Sequence, residues 1–224
     1  RTFTGPVTYN TPTGSLTVNP NVRVHPSTFS QSEVPITRHP TNQSILYASS
    51  NSVSPGVGMI SEGMYASTNS GATWFGSDTT KSAPIGNHGG DPAPAIGPNG
   101  YFYMSQLGYS TSGIFAEYST DMGTTWSNTY TIITGSQDKN HTFVNDVSTS
   151  SYYGRVFVTW SLFTASAPPC VVSYSTNNGV TYGSYKTPAA PLSGHYQQGV
   201  NGAVMTNGDA VLYFQNPILG SPST

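Results

Sequence analysis

The chain has 224 residues, with 7 basic and 9 acidic side chains and a formal net charge of -2 at pH 7. Charged residues make up 7% of it, against roughly 25% in an average soluble domain, so there is no basic surface for a nucleic acid. Aromatics at 12% set it apart from disordered chains, and no apolar run approaches the roughly 18 residues of a membrane-spanning helix.

Ser, Thr, Asn, Gly and Tyr fill the places that charged residues usually hold. That composition predicts many short strands joined by polar, glycine-rich turns. Poverty in lysine and richness in hydroxyl side chains point to an exported protein, extracellular or at the cell surface. The single cysteine, Cys170, excludes an intrachain disulfide. Its neighbours, Pro168-Pro169 and Val171-Val172, provide neither a histidine nor a positive charge, so it is expected to be a small buried strand residue.

Residues 1–30 predict a lead-in with one strand, running from Ser15-Leu16-Thr17-Val18 towards Val22-Arg23-Val24, between turn signals at Thr13-Gly14 and Asn19-Pro20-Asn21. From Glu33 a unit begins and recurs. Its clearest copy has a strand at Pro92-Ala93-Pro94-Ala95-Ile96, a turn at Pro98-Asn99-Gly100 and a strand at Tyr101-Phe102-Tyr103-Met104-Ser105. A loop, a third strand (114–118), a tight turn and a fourth strand (126–133) follow. The runs alternate with the two-residue period of half-buried strands. Similar units fall at about 33–80, 141–188 and, cut short, 198–224.

The tight turn is the most regular part of each unit. Ser67-Thr68-Asn69-Ser70-Gly71-Ala72-Thr73-Trp74, Ser119-Thr120-Asp121-Met122-Gly123-Thr124-Thr125-Trp126 and Ser175-Thr176-Asn177-Asn178-Gly179-Val180-Thr181-Tyr182 share one pattern. Asn69, Asp121 and Asn177 are suited to bonding the backbone of their own turn. Gly71, Gly123 and Gly179 supply a positive φ, and Trp74, Trp126 and Tyr182 bury a ring under the turn. A period near 50 with four strands per unit predicts an all-β fold, a β-propeller of four-stranded antiparallel blades. About three and a half to four blades would lie within residues 31–224.

This turn resembles the Asp-box, or bacterial neuraminidase repeat, of sialidase-like β-propellers. Gly90-Asp91-Pro92-Ala93, the segment from Asp138-Lys139 to Asn145-Asp146, Tyr152-Tyr153-Gly154-Arg155 and Gln198-Gly199-Val200 are similar to a secreted bacterial branch of that family. The resemblance implies six blades in all. Missing blades or a partner are then expected to cover an otherwise open sheet edge. It also implies that the boxes lie on the rim away from the active face, and that a sialidase would need three arginines, a Tyr–Glu nucleophile pair and an Asp acid. The chain has only Arg1, Arg23, Arg38 and Arg155, with no Arg-Ile-Pro motif.

Propeller geometry puts His88, Asp91, Asp138, His141, Asp146, His195, Tyr196 and Gln197 on the face opposite the boxes. Three roles stay open for them. They are turn caps and blade-bridging histidines, or a carbohydrate funnel with Tyr109, Phe163 or Tyr196 as stacking platforms, or a cation site. For the last, Asp91, Asp138 and Asp146 are the oxygen donors and Ca2+ the ion they suit; no cofactor is required. The expectation is therefore an exported, non-catalytic propeller that acts as a binding or cell-surface assembly module for a glycan or a protein. The alternative is an exo-sialidase or other glycoside hydrolase with part of its active site outside this stretch.

Overall fold

A computed structural model describes residues 5–80 and 88–220. Every element among them is a strand or a turn, and no helix is long and apolar enough to cross a membrane. The chain opens with a hairpin of β1 (Val7–Thr11) and β2 (Gly14–Val18). The lead-in was expected to hold one strand. It holds two, because Gly14 (φ 156) closes a turn that pairs Thr11 with Gly14. Residues 22–24 are not in a strand.

Four antiparallel sheets follow. In the first, β3 (Ser30–Ser32) and β4 (Ile36–Arg38) both pair with β5 (Leu46–Ser54), and β6 (Gly58–Ser67) and β7 (Phe75–Ser77) come next. The second runs β8 (Gly90–Ile96), β9 (Phe102–Leu107), β10 (Gly113–Ser119) and β11 (Tyr130–Thr134). The third has β12 (Asp138–Val144), β13 (Val156–Ser161) and β14 (Cys170–Ser175), with a single further bridge from Val172 to Lys186. The fourth is β15 (Gln198–Val204) paired with β16 (Ala210–Gln215). These are the blades of a partial β-propeller, with β4, β8, β12 and β15 as the inner strands.

The blades stack face to face. Tyr47 of blade one lies 4.7 Å from Phe102 of blade two, nearly parallel at 9°, in a cluster with Met64, Ala66 and Ile96. A larger cluster joins Tyr103, Ile114 and Ala116 of blade two to Val156, Val158, Trp160 and Tyr182 of blade three. Gly202 lets blade four approach, since a Cβ there would sit 2.0 Å from the Phe143 ring. The middle strands are thus buried on both faces, and β9 and β13 show continuous burial where alternation was expected. Small hydroxyls fill the narrow places, as where Ser105 and Thr142 meet at 2.7 Å between blades two and three. This is why a chain so poor in charge has so many serines and threonines.

The three tight turns share one geometry. The hydroxyl of Ser119 donates to Asp121 Oδ1 (2.8 Å) and accepts from the Gly123 N–H (2.8 Å). The same carboxylate accepts from the Thr125 N–H at 2.8 Å and from the Thr125 hydroxyl at 2.7 Å. Asn69 and Asn177 repeat the pattern with their own serine and threonine. Two consecutive residues take positive φ, the fourth of the motif as well as the glycine: Met122 (56°) with Gly123 (84°), Ser70 (59°) with Gly71 (83°), and Asn178 (58°) with Gly179 (78°).

The turn also joins blades. A Cβ on Gly123 would meet Met64 Sδ of the preceding blade at 2.4 Å, and Trp126 packs on Tyr47 with ring centroids 6.0 Å apart. Tyr182 reaches Tyr130 of blade two in the same way, at 5.9 Å. Holding the ring under the turn delays the outer strand, so β11 begins at Tyr130 and not at Trp126.

Asp121→Ala should cost about 1–2 kcal/mol, the loss of a local side-chain cap, and Gly123→Ala should cost more. The alanine would carry both a strained φ and an overlap with Met64. Urea unfolding of the two variants beside the parent measures the order; a neutral Gly123→Ala would contradict the blade-joining role.

Candidate functional site

The inner strands share one irregularity. Each begins with a bulge, and the bulged residue is left-handed: Glu33 (φ 49) before β4, Asp91 (φ 52) in β8, Lys139 (φ 52) in β12 and Gly199 (φ 65) in β15. Strand register shifts at that point between Gly90 and Ala93, between Asp138 and His141, and between Gln198 and Asn201. A bulge of this kind re-aims a side chain. Here three of the bulged residues, Glu33, Asp91 and Lys139, converge on one another. Pro35, Pro92 and Pro94 are compatible with these strands because an inner strand is a sheet edge and has an unpaired side.

Lys139 Nζ lies 3.0 Å from Glu33 Oε1 and 3.2 Å from Asp91 Oδ2. The two carboxyl groups also influence each other's protonation. Asn51 holds the pair from behind, donating from Nδ2 to Glu33 Oε2 (3.1 Å) and accepting from the Asp91 N–H (3.0 Å). One residue from each of three blades therefore closes a clamp. Burial first, and then Glu33, push the Asp91 carboxyl up to about 7. Asp91, with the ammonium behind it, holds Glu33 below the usual carboxylate range. Burial pulls the Lys139 ammonium down, but its two carboxylate partners outweigh this and raise it.

The clamp stands at one end of an open cavity of about 670 Å³ between the inner strands, within the usual range of ligand sites. Asp91, His141 and Asp146 line it, and so do Glu33, Lys139 and Asn140. Asp146 was expected on the face opposite the turn motifs, but it follows Val144, which pairs with Val156 and through it with Ser175, so it stands at the turn-motif end of the cavity. His141 Nδ1 accepts from the Gly202 N–H at 3.1 Å. Burial lowers its pKa to about 4, so the neutral ring carries its proton on Nε2, which serves as a donor. Asn140 Nδ2 donates to Ser105 Oγ at 2.8 Å, while its buried Oδ1 has no hydrogen-bond partner among the described residues.

The other candidates stand elsewhere. His88 is buried between blades one and two, with Nδ1 2.5 Å from Glu62 Oε2 and Nε2 3.9 Å from Glu117 Oε2. Glu62 also accepts the Gly90 N–H at 2.7 Å, so this buried group fixes the strand that carries Asp91. Asp138 accepts from Gln198 Nε2 at 3.2 Å, bridging blades three and four. Gln197 is buried and accepts the Cys170 N–H at 2.7 Å. His195 Nδ1 lies 2.8 Å from the Asn216 carbonyl, and Tyr196 pairs with Phe163 at 6.3 Å.

Asp91, Asp138 and Asp146 do not converge, and no group of three or more His, Cys, Asp or Glu among the described residues is arranged for a metal ion. Of the arginines, Arg38 lines the cavity. Arg155 lies over the rings of Tyr152 (4.2 Å) and Tyr174 (4.8 Å), and Arg23 lines a separate cavity. Arg1 lies outside the described residues. Cys170 is buried, and burial pushes its thiol up to about 11.

The turn motifs lie at the far end of the blades. Ser119, which opens one, pairs with Phe102, and Phe102 pairs with Ile96 at the end of β8 opposite Gly90.

No protein-family model and no curated protein matches the chain. Its structure is similar to the endo-arabinase from Bacteroides thetaiotaomicron VPI-5482, with a TM-score of 0.56 and 11% identity over 90% of this chain and 76% of that one. A Hadza microbial sialidase, Hz136, aligns with a TM-score of 0.48 and 11% identity over 73% of this chain and 35% of that one. At this identity the likeness to the endo-arabinase is one of fold: the chain is a β-propeller.

Asp91 makes the site sensitive to pH. Its folded pKa, about 7, is above its unfolded value. Between the two the folded state binds more protons, so stability falls as pH rises through that window. Glu33 works in the opposite sense, but only at lower pH, where a lowered carboxyl regains its proton. The stability advantage of the parent over Asp91→Asn should therefore shrink from pH 5 to pH 8. Thermal melts of both proteins across that range check it; a constant or growing advantage would contradict the raised pKa.

Proposed function

We propose that the chain is an exported propeller that binds a neutral carbohydrate in the central cavity and does not cleave it. The Glu33–Lys139–Asp91 clamp is the observation that carries this reading. A glycosidase needs two carboxyl groups on either side of a glycosidic bond, roughly 5–9.5 Å apart. Here both carboxyl groups are engaged by one ammonium, which ties them to each other instead of leaving each free to face one side of a glycosidic bond.

The cavity instead sets donors beside acceptors. Lys139 and His141 Nε2 donate; Glu33 and Asp91 accept. A sugar hydroxyl does both, so a polyol matches such an array where a carboxylate ligand would not. Capture of a sialic acid carboxylate would call for grouped arginines, and Arg38 is the one described arginine on this cavity. The hydrogen bonding of the three turns supports kinship with Asp-box propellers of the sialidase-like type. The similarity of fold to an endo-arabinase makes arabino-oligosaccharides the first ligands to try. Low charge and abundant Ser, Thr and Tyr support export.

One observation favours a second reading, a glycoside hydrolase completed by residues outside this stretch. A carboxyl pushed up to about 7, as Asp91 is, keeps a proton that a general acid needs.

A glycan array followed by calorimetry, with chromatography of the spent ligand, separates the two. The binding reading expects neutral oligosaccharides to bind and to be recovered intact, and Lys139→Met to abolish binding while circular dichroism stays unchanged. Release of shorter sugars that stops in Asp91→Asn would establish the hydrolase. Preference for sialosides over neutral glycans would overturn the ligand class.

A further inference from the structure

The clamp is unequal in charge. It brings two carboxyl groups, Glu33 and Asp91, to a single ammonium, Lys139, at 3.0 Å and 3.2 Å. Fully ionised, the three groups sum to one negative charge; with a proton on one carboxyl they sum to zero. Water serves them unequally too. The Glu33 and Lys139 side chains are 46% and 42% exposed, whereas that of Asp91 is 15% exposed and its Oδ2 is sealed from solvent.

Among the described residues, the surroundings bring no second cation to Asp91. From blade one, Asn51 meets both acids with a neutral amide. Glu62, behind Gly90, is a further acid and is already paired with His88. Arg38 stands at the other end of the cavity, since it pairs with Leu46 and through it with Ser67 of a turn motif. Within blade two, β9 has one ionisable side chain, Tyr103, and it pairs with Ala95, away from Asp91. From blade three, Asp138 is engaged by the Lys139 N–H and by Gln198, and His141 is neutral because burial lowers its pKa to about 4.

A sugar seated on the clamp takes water away from Glu33 and Lys139. A charge left without a partner then becomes costly, so the filled clamp favours the form that sums to zero. Asp91 is the least hydrated of the three and, pushed up to about 7, the one that accepts a proton near neutrality. Glu33, held below the usual range, stays ionised there.

We propose that binding of a neutral glycan at the clamp is coupled to uptake of one proton by Asp91, so that the site holds its ligand at mildly acidic pH and releases it as pH rises past neutrality. The inference rests on the carbohydrate reading above and adds the condition under which the site is filled. The sign follows from linkage. A ligand that prefers the protonated clamp raises the pKa of that carboxyl, and the proton raises the affinity for the ligand by the same factor. Affinity is therefore highest below the pKa of the empty clamp and falls until pH passes that of the filled one.

Calorimetry of the parent with a neutral oligosaccharide, arabino-oligosaccharides in the first instance, tests this from pH 5 to pH 9 in buffers of different ionisation enthalpy. Affinity is expected to fall about tenfold across the range, and the heat near pH 7 to vary with the buffer, the mark of a proton taken up. By NMR, the Asp91 carboxyl carbon should titrate at higher pH with ligand than without. In Asp91→Asn, the affinity that remains should be the same at every pH; if that variant does not bind, the carboxyl titration in the parent decides. Affinity independent of pH, heats that ignore the buffer, a titration unmoved by ligand, or a pH dependence that persists in the folded variant would overturn this inference and leave carbohydrate binding standing. Absence of binding to any neutral glycan at any pH would overturn both.

Discussion

A left-handed residue at the head of each inner strand is the constraint on which the site depends. An ordinary strand would send these side chains into the blade interface, where the chain has room for serine, alanine and aromatic rings but little for charge. The bulge turns them towards one another, and because blades repeat, so does the aim. Three neighbouring blades then place an acid, an acid and a base within reach of one another. The clamp is a consequence of the repeat, and neither its charge balance nor its hydrogen bonds would survive a slip of one residue in any of the three strands.

Support for that arrangement comes from behind. The buried Glu62 carboxylate holds the Gly90 N–H and the His88 ring, and so fixes the start of β8. Asn51 reaches from blade one to both acids. Glu62 and His88 are buried and Asn51 half-buried, and together they limit how far Asp91 and Glu33 can move apart. Removing such a support would leave a buried charge without its partner, a costly outcome. The turn motifs serve the opposite end, where Gly123 and Trp126 seat one blade on the next.

Much of the architecture was legible in the sequence, because its strongest signal is local. Ser, Asp or Asn, Gly and Thr at fixed offsets describe a turn that satisfies itself, and three copies give the period. The paired positive φ angles were only half legible, since Met122 and Ser70 carry no mark of a left-handed residue. The strand alternation was misleading for β9 and β13, which are buried on both faces by stacking that no single blade reveals. The candidate site was legible in part. Asp91 and His141 stood out as polar residues near strand starts, whereas Asp146 follows the end of β12 and stands at the turn-motif end. Glu33 and Lys139 did not stand out, because their role comes from the bulge, and a bulge in an inner strand has no fixed composition: Glu, Asp, Lys and Gly all occupy it here. His88 had the right position in the chain but points into the blade interface.

The central claim is that the Glu33–Lys139–Asp91 clamp is where a neutral glycan binds without being cut. Carboxyl carbon NMR of the labelled protein, with and without a neutral oligosaccharide, tests it most directly. The account predicts that the Glu33 and Asp91 resonances shift on addition while the sugar spectrum shows a single intact ligand over time. Unchanged clamp resonances alongside bound sugar would place the ligand elsewhere, and the appearance of a new reducing end would show that the site is catalytic.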